Sequence, residues 1–251
     1  MDTRRKKTLS QPASGGQRPA LSRSSRGDDR PDAPAGGRGL SKRAEPDVRR
    51  QSLIEATARV LARDGATGAS VRPIAVEAGV SPGLINHYFA GIEALIAATY
   101  SSVGDQVSHA LAAAVAAAGD DARARLTAYV TASFAPPIAD RALLATWIAF
   151  WSLTGKPQIA ERHDAIYARY REDLEALLAD CGIAQTELRL TAIAITALVD
   201  GLWLELCLSP DSFTADEARG LAERQLGSAL SCREGRDCPQ EPADEERSAD
   251  A

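Results

Sequence analysis

The sequence predicts an all-α fold, and three observations carry that prediction. Apolar residues recur at three- and four-residue spacing along most of the chain. Alanine and leucine dominate while β-branched runs are rare. Glycine and proline mark the ends of many periodic segments. At 251 residues the chain suits one large domain or two smaller ones, and 45% hydrophobic with 25% charged residues is ordinary for a packed protein.

The elements follow in order. Residues 1–45 are rich in Arg, Ser, Gly, Pro and Asp and poor in large apolar residues, so they read as a disordered basic arm that builds no core. Leu53, Ile54, Thr57, Val60 and Leu61 then place a first helix over 47–64, closed by Gly65. "GATGAS" is a loop. A second helix is expected over 71–78, with Ser70 at its N-cap and Pro73 in its first turn, where a missing N–H loses no helical bond. Ile74, Ala75 and Ala78 face inward, and Gly79 ends the helix in the left-handed region.

The stretch "AGVSPGLINHYF" (78–89) follows. Val80 plugs the turn into the core, Ser81 caps a third helix, and Pro82 takes its first position. Leu84, Ile85, Tyr88 and Phe89 form one stripe, while Asn86 and His87 point elsewhere. A helix this short is unstable alone, so its neighbours must brace it. Helix, glycine turn and short helix make a helix-turn-helix.

A long helix runs from Ile92 to Gly119, and another starts at Asp120-Asp121 and ends near Pro136-Pro137. Four more are expected at 139–154, 157–180, 184–208 and 214–229, punctuated by Gly155, Pro157, Gly182 and Pro210. Residues 190–208 have the length of a membrane span, but Asp200 and Glu205 inside it favour a helix buried in a protein interface. Residues 231–251 read as a disordered acidic tail, with 3 Arg against 7 Asp and Glu. The expected organisation is an arm (1–45), a helix-turn-helix domain (46–92), a larger helical domain (93–230) and the tail (231–251).

Charge is unevenly spread. Residues 1–50 hold 13 Lys and Arg against 6 Asp and Glu, although the whole chain is at -5. A basic front and an acidic back suit a protein that touches a polyanion at one end. The cysteines, 181, 207, 232 and 238, form no CxxC and have no histidine at metal spacing. They read as reduced thiols, with Cys181 and Cys207 in the core. No metal site or cofactor is expected. Three histidines without a triad or metal setting, and no glycine-rich phosphate loop, argue against an enzyme. The first residues lack an apolar signal segment, so a cytoplasmic protein without membrane attachment is expected.

A helix reads DNA if it fits the major groove and offers hydrogen-bonding side chains to base edges, with phosphate contacts fixing its register. Ser81 and the helix-start N–H groups can bind phosphate, Pro82 opens the helix at that end, and Gly83, having no side chain, lets it approach the bases closely. Leu84, Asn86, His87 and Tyr88 complete the unit. Ser70 and Arg72 on the preceding helix, with Arg49 and Arg50 behind, can touch the backbone. Taken singly, His87 is equally a surface histidine and Tyr88 a core aromatic; the helix-turn-helix frame turns the balance to DNA.

"SVRPIAVEAGVSPGLINHYFAGIEALIAATY" (70–100) resembles the DNA-binding signature of the TetR family of regulators. That resemblance implies an all-helical homodimer whose first three helices bind a palindromic double-stranded operator and whose larger domain binds a small molecule. One position departs from the family pattern: the lysine usual three residues after the Phe is replaced by Ile92. The basic arm is expected to supply the missing phosphate contact.

"TWIAFWSLTGKPQIAERHDAIYARYREDL" (146–174) and "ALVDGLWLELCLSP" (197–210) are similar to the choline-responsive BetI subgroup. That similarity implies a repressor of choline-to-glycine-betaine genes, released by choline or betaine aldehyde. Trp147 and Trp151 share a helix face beside Phe150, Tyr167 and Tyr170 lie on a second helix, and Trp203 lies on a third near Asp200. Aromatic faces with carboxylates suit a quaternary ammonium ion. Tryptophans at helical spacing are more often core residues, and that reading stands beside the ligand wall. Ile193, Ala197, Leu198, Leu202, Leu204 and Leu208 offer a dimer face. The alternative is a regulator of the same fold that senses a different, hydrophobic ligand for an efflux or other metabolic operon.

Overall fold

The computed structural model describes residues 38–234, with side chains described over 46–230. Among the described residues there are helices and no strand: α1 Arg38–Gly68, α2 Val71–Glu77, α3 Pro82–Tyr88, α4 Ile92–Ala117, α5 Ala122–Thr131, a 3-10 turn at Ala132–Phe134, α6 Arg141–Trp151, α7 Pro157–Asp180, α8 Gln185–Leu208 and α9 Ala215–Glu234.

Several expected boundaries need correction. α1 starts at Arg38, not 47, and its segment runs past Gly65 to Gly68 with a kink where Gly65 takes φ 66°. Leu40, Lys42, Arg43, Ala44 and Glu45 are sound helix formers that the averaged composition of 1–45 concealed. The other residues of the expected arm, 1–37, lie outside the described residues, as do 235–251 of the expected tail. The tail's first residues, through Glu234, continue α9. α5 stops at Thr131 and tightens into the 3-10 turn before the prolines. α6 starts at Arg141 because Asp140 caps it, accepting from the N–H groups of Ala142 and Leu143 at 3.0 Å, and it ends at Trp151, short of the expected 154. Asp121 caps α5 in the same way, through Ala124 N at 2.7 Å. Cys181 and Cys207 are half-buried rather than core.

α1 packs on α2, α4 and α6, and α2 and α3 sit beside one another at its flank. α4 runs on against α5 and α7, α7 meets α8, and α9 covers α5 and the 3-10 turn. Gly104 lets α4 lie close to α7: a Cβ there would sit 2.8 Å from Ile166 Cδ1. One continuous core results, from Leu53 and Ile85 at one end to Leu226 at the other. α8 is long and apolar enough to cross a membrane. Its Leu188, Ala192, Ile195, Val199 and Trp203 are buried within the protein. Its outer side exposes Leu190 (62%), Ile193 (39%), Leu204 (38%) and Leu208 (67%). Leu202, expected on that outer face, is instead buried.

Candidate functional site

α3 is held from behind. Ile85 is fully buried and Phe89 nearly so, while Leu84 and Tyr88 are half-buried. Burying a side chain such as Ile85 contributes about 2 kcal/mol. Gly79 supplies the sharp bend before it at φ 66°, a conformation that penalises any Cβ, and Val80 N then closes the turn on Ala75 O at 2.9 Å. Gly91, at φ 92°, makes the second bend, into α4. Ser81, Pro82, Gly83, Asn86 and His87 are all exposed. Ser70 and Ser81 occupy the N-cap positions of α2 and α3, yet neither side chain makes a capping bond. Ser70, Arg72 and Arg49 are exposed on neighbouring elements, and Arg50 lies 4.9 Å over the Phe89 ring.

α2 is fastened to α1 by charge. Arg59 Nε donates to Glu77 Oε1 at 2.7 Å, and Arg63 Nη1 to Glu77 Oε2 at 2.8 Å. The Arg63 and Arg59 hydrogen bonds hold the Glu77 carboxyl below its usual titration range. Sequence periodicity gave no sign of this clasp. A second surface pair, Lys156 Nζ to Glu93 Oε1 at 2.6 Å, ties the α6–α7 turn to the first turn of α4.

The larger helical region holds a narrow cavity, part of it open to solvent. Trp147, Tyr167, Tyr170, Asp200 and Trp203 line it, five of the seven residues expected at a ligand wall. Phe150 and Trp151 do not. Phe150 is fully buried and stacks on Tyr100 at 4.2 Å, and half-buried Trp151 reaches the wall only through a hydrogen bond. Gly104, Val107 and Ser108 of α4, Ser133 of the 3-10 turn, Ile166 of α7, and Thr196 and Val199 of α8 complete the lining. Periodicity could not have found these, because they come from four separate elements.

Tyr167 organises the wall. Its hydroxyl accepts from Trp151 Nε1 at 2.9 Å and from Trp147 Nε1 at 3.3 Å, and donates to Asp200 Oδ1 at 3.1 Å. One donor and two acceptor sites are thereby all used. Trp203 meets Trp147 edge to face at 5.5 Å and donates to Ser133 O at 2.9 Å. Burial pushes the Asp200 carboxyl up to about 6, while the Tyr167 hydrogen bond and the Arg171 charge act against it. Tyr100 Oη and His163 Nδ1 are hydrogen-bonded at 2.9 Å, joining α4 to α7, and burial lowers the His163 titration. No cluster of metal-ligating side chains occurs among the described residues.

A brace-backed short helix presenting polar side chains, joined by a long helix to a separate aromatic cavity, defines a helix-turn-helix transcriptional regulator with an effector domain. Comparison with known proteins narrows this. Residues 53–99 match the family described as bacterial regulatory proteins, tetR family, and residues 122–231 match the BetI-type transcriptional repressor C-terminal family. The HTH-type transcriptional regulator BetI of Vibrio parahaemolyticus is 32% identical over 197 residues, covering 76% of this chain and 96% of the relative. A crystal structure of a transcriptional regulator from Pseudomonas aeruginosa PAO1 superposes with TM-score 0.69 at 40% identity, over 78% of this chain and 96% of that one. A regulator from Saccharomonospora viridis, solved in complex with choline, shares the fold with TM-score 0.61 at 21% identity, over 74% of this chain and 96% of that one. The chain belongs to the TetR family of DNA-binding transcriptional repressors, in its BetI-type branch. Its relatives are regulators, not enzymes.

Proposed function

We propose that this repressor controls choline-to-glycine-betaine genes and leaves its operator when a small organic cation enters the aromatic cavity. The observation that carries this reading is Asp200, a carboxylate on the cavity wall among Trp147, Tyr167 and Trp203. Ring faces and one half-buried negative charge attract a quaternary ammonium ion. The choline complex of the Saccharomonospora regulator and the BetI names of the curated relatives support the same ligand class.

On the DNA side, Asn86 and His87 of α3 reach base edges, with Leu84 and Tyr88 at the rim. Ser70, Arg72, Arg49, Ser81, Pro82 and Gly83 set register on the backbone. Two copies pair through the apolar outer face of α8 together with α9, which places two reading helices about 34 Å apart on a palindromic operator. Residues 46–92 then act as the reading head and 93–230 as the effector and dimerisation domain. A regulator of chromosomal genes works in the cytoplasm. An effector that weakens operator binding roughly 100-fold needs about 2.7 kcal/mol of coupling.

Calorimetry with choline and with its uncharged carbon isostere, 3,3-dimethyl-1-butanol, tests the reading, followed by anisotropy on operator DNA. Choline is expected to bind at least tenfold tighter than the alcohol and to release the DNA. Equal affinity would replace the cation with a hydrophobic effector, the efflux-type alternative. Tight choline binding with unchanged operator affinity would defeat the switch.

A further inference from the structure

The cavity wall has a second polar feature, separate from the carboxylate. The hydroxyls of Ser133 and Tyr170 are buried, and neither has a hydrogen-bond partner. Both residues line the cavity. They come from different elements, the 3-10 turn and α7. Burial and the Asp200 charge push the Tyr170 hydroxyl's titration up, and the adjacent Ser133 hydroxyl acts against it, so the two groups meet in a contact too poorly aligned to satisfy either. Their surroundings are otherwise satisfied: Ser133 O accepts from Trp203, Tyr170 O accepts from the Tyr129 hydroxyl, and Thr196 donates to Ala192 O.

Two orphaned hydroxyls side by side are costly in a folded protein, because each forfeits its bonds to water. Such a pair beside a cavity is an unfilled demand for one oxygen atom. Hydroxyls donate to a carbonyl oxygen, and donate to and accept from an alcohol. No Lys, Arg or His lines the cavity, and the Asp200 carboxylate shares its wall, so nothing there balances an anionic group.

We propose that Ser133 and Tyr170 form the polar end of the effector site and select a cation carrying one neutral oxygen function, a hydroxyl or a carbonyl. This rests on the cation reading of Asp200 and adds a second point of recognition. The cation end supplies attraction that any alkylammonium of the right size would enjoy. The hydroxyl pair supplies discrimination, because a ligand without the oxygen leaves both groups unpaired in the complex.

The test titrates the full-length protein by calorimetry with three probes: choline, betaine aldehyde, and ethyltrimethylammonium, which is choline without its oxygen. Wild type is expected to favour choline or betaine aldehyde over ethyltrimethylammonium by at least tenfold, and which of the two binds tighter distinguishes hydroxyl from carbonyl. Ser133→Ala and Tyr170→Phe are expected each to lower that ratio toward one while leaving ethyltrimethylammonium binding in place. Both variants remove an orphaned group, so the unliganded protein is expected to melt no lower than wild type. Equal affinity of wild type for all three probes would overturn the hydroxyl selection and leave the cation reading standing. Failure of every probe to bind would remove both. A preserved ratio in both variants would assign the oxygen to other residues.

Discussion

At the scale of single residues, α3 separates structure from reading within one turn. Ile85 is fully buried, and Asn86 beside it is exposed. Ile85→Ala is expected to cost 2–4 kcal/mol of stability, about the toll of opening a core cavity. Asn86→Ala is expected to leave stability within about 0.5 kcal/mol and to cost about 1–3 kcal/mol of operator affinity. Denaturant unfolding and anisotropy measure the two sides of that contrast. Asp200 makes a second residue-scale prediction. Its carboxyl is raised from 3.8 to about 6, facing Tyr167 and Arg171 of α7 and the buried Tyr100 of α4. A raised carboxyl pKa means that the fold binds the proton more tightly than the unfolded chain does. The charged form's penalty is therefore fully present above pH 6, and the unliganded protein gains stability as pH falls from 6 toward 4. Asp200→Asn, which keeps an oxygen for Tyr167, is expected to stabilise the unliganded protein at pH 7.5 by on the order of 2 kcal/mol. Cation binding has the opposite dependence: choline affinity is expected to be about tenfold weaker at pH 5 than at pH 8 in wild type, and flat across that range in the variant.

At the scale of elements, α6 joins the cavity to the reading head. Thr146 Oγ1 lies 2.7 Å from Ala142 O of its own helix and 3.1 Å from Ala58 O of α1, so its one proton is shared between them, and the next residue, Trp147, lines the cavity. Thr146→Val keeps the shape and removes that proton. It is expected to bind choline and operator nearly as wild type does, while the factor by which choline weakens operator binding falls by about threefold or more, as read by anisotropy with and without choline. Element order was legible in the sequence because each helix carries its own periodicity and its own stop, such as Gly79 after α2 or Gly182 after α7. Boundaries were less so: α1's first residues are helix formers set in a Gly- and Pro-rich context, which composition reads as one block. The cavity was half legible. Trp147 and Asp200 stand out as residue types, but Trp147, Phe150 and Trp151 crowd one side of a helix, and only packing against Tyr100 decides that Phe150 turns away. Ser133, in a three-residue turn, carries no periodic signal at all.

At the scale of the whole molecule, charge and apolar surface divide the labour. Residues 1–37 contain 8 Lys and Arg against 4 Asp and Glu, and Ile92 stands where the family places a phosphate-binding lysine. A chain beginning at Arg38 is expected to bind operator more weakly and to lose about 0.9 from its log–log salt slope for each phosphate contact removed. An unchanged slope would mean that those residues do not stand in for the lysine. All three tryptophans of the chain sit together at the cavity: Trp147 and Trp203 on its wall, and Trp151 bonded to Tyr167. None lies in α2 or α3. If the cavity is the effector site, the protein carries its own optical gauge: its ultraviolet glow is expected to change as the chamber fills, so effector titrations would need no attached dye.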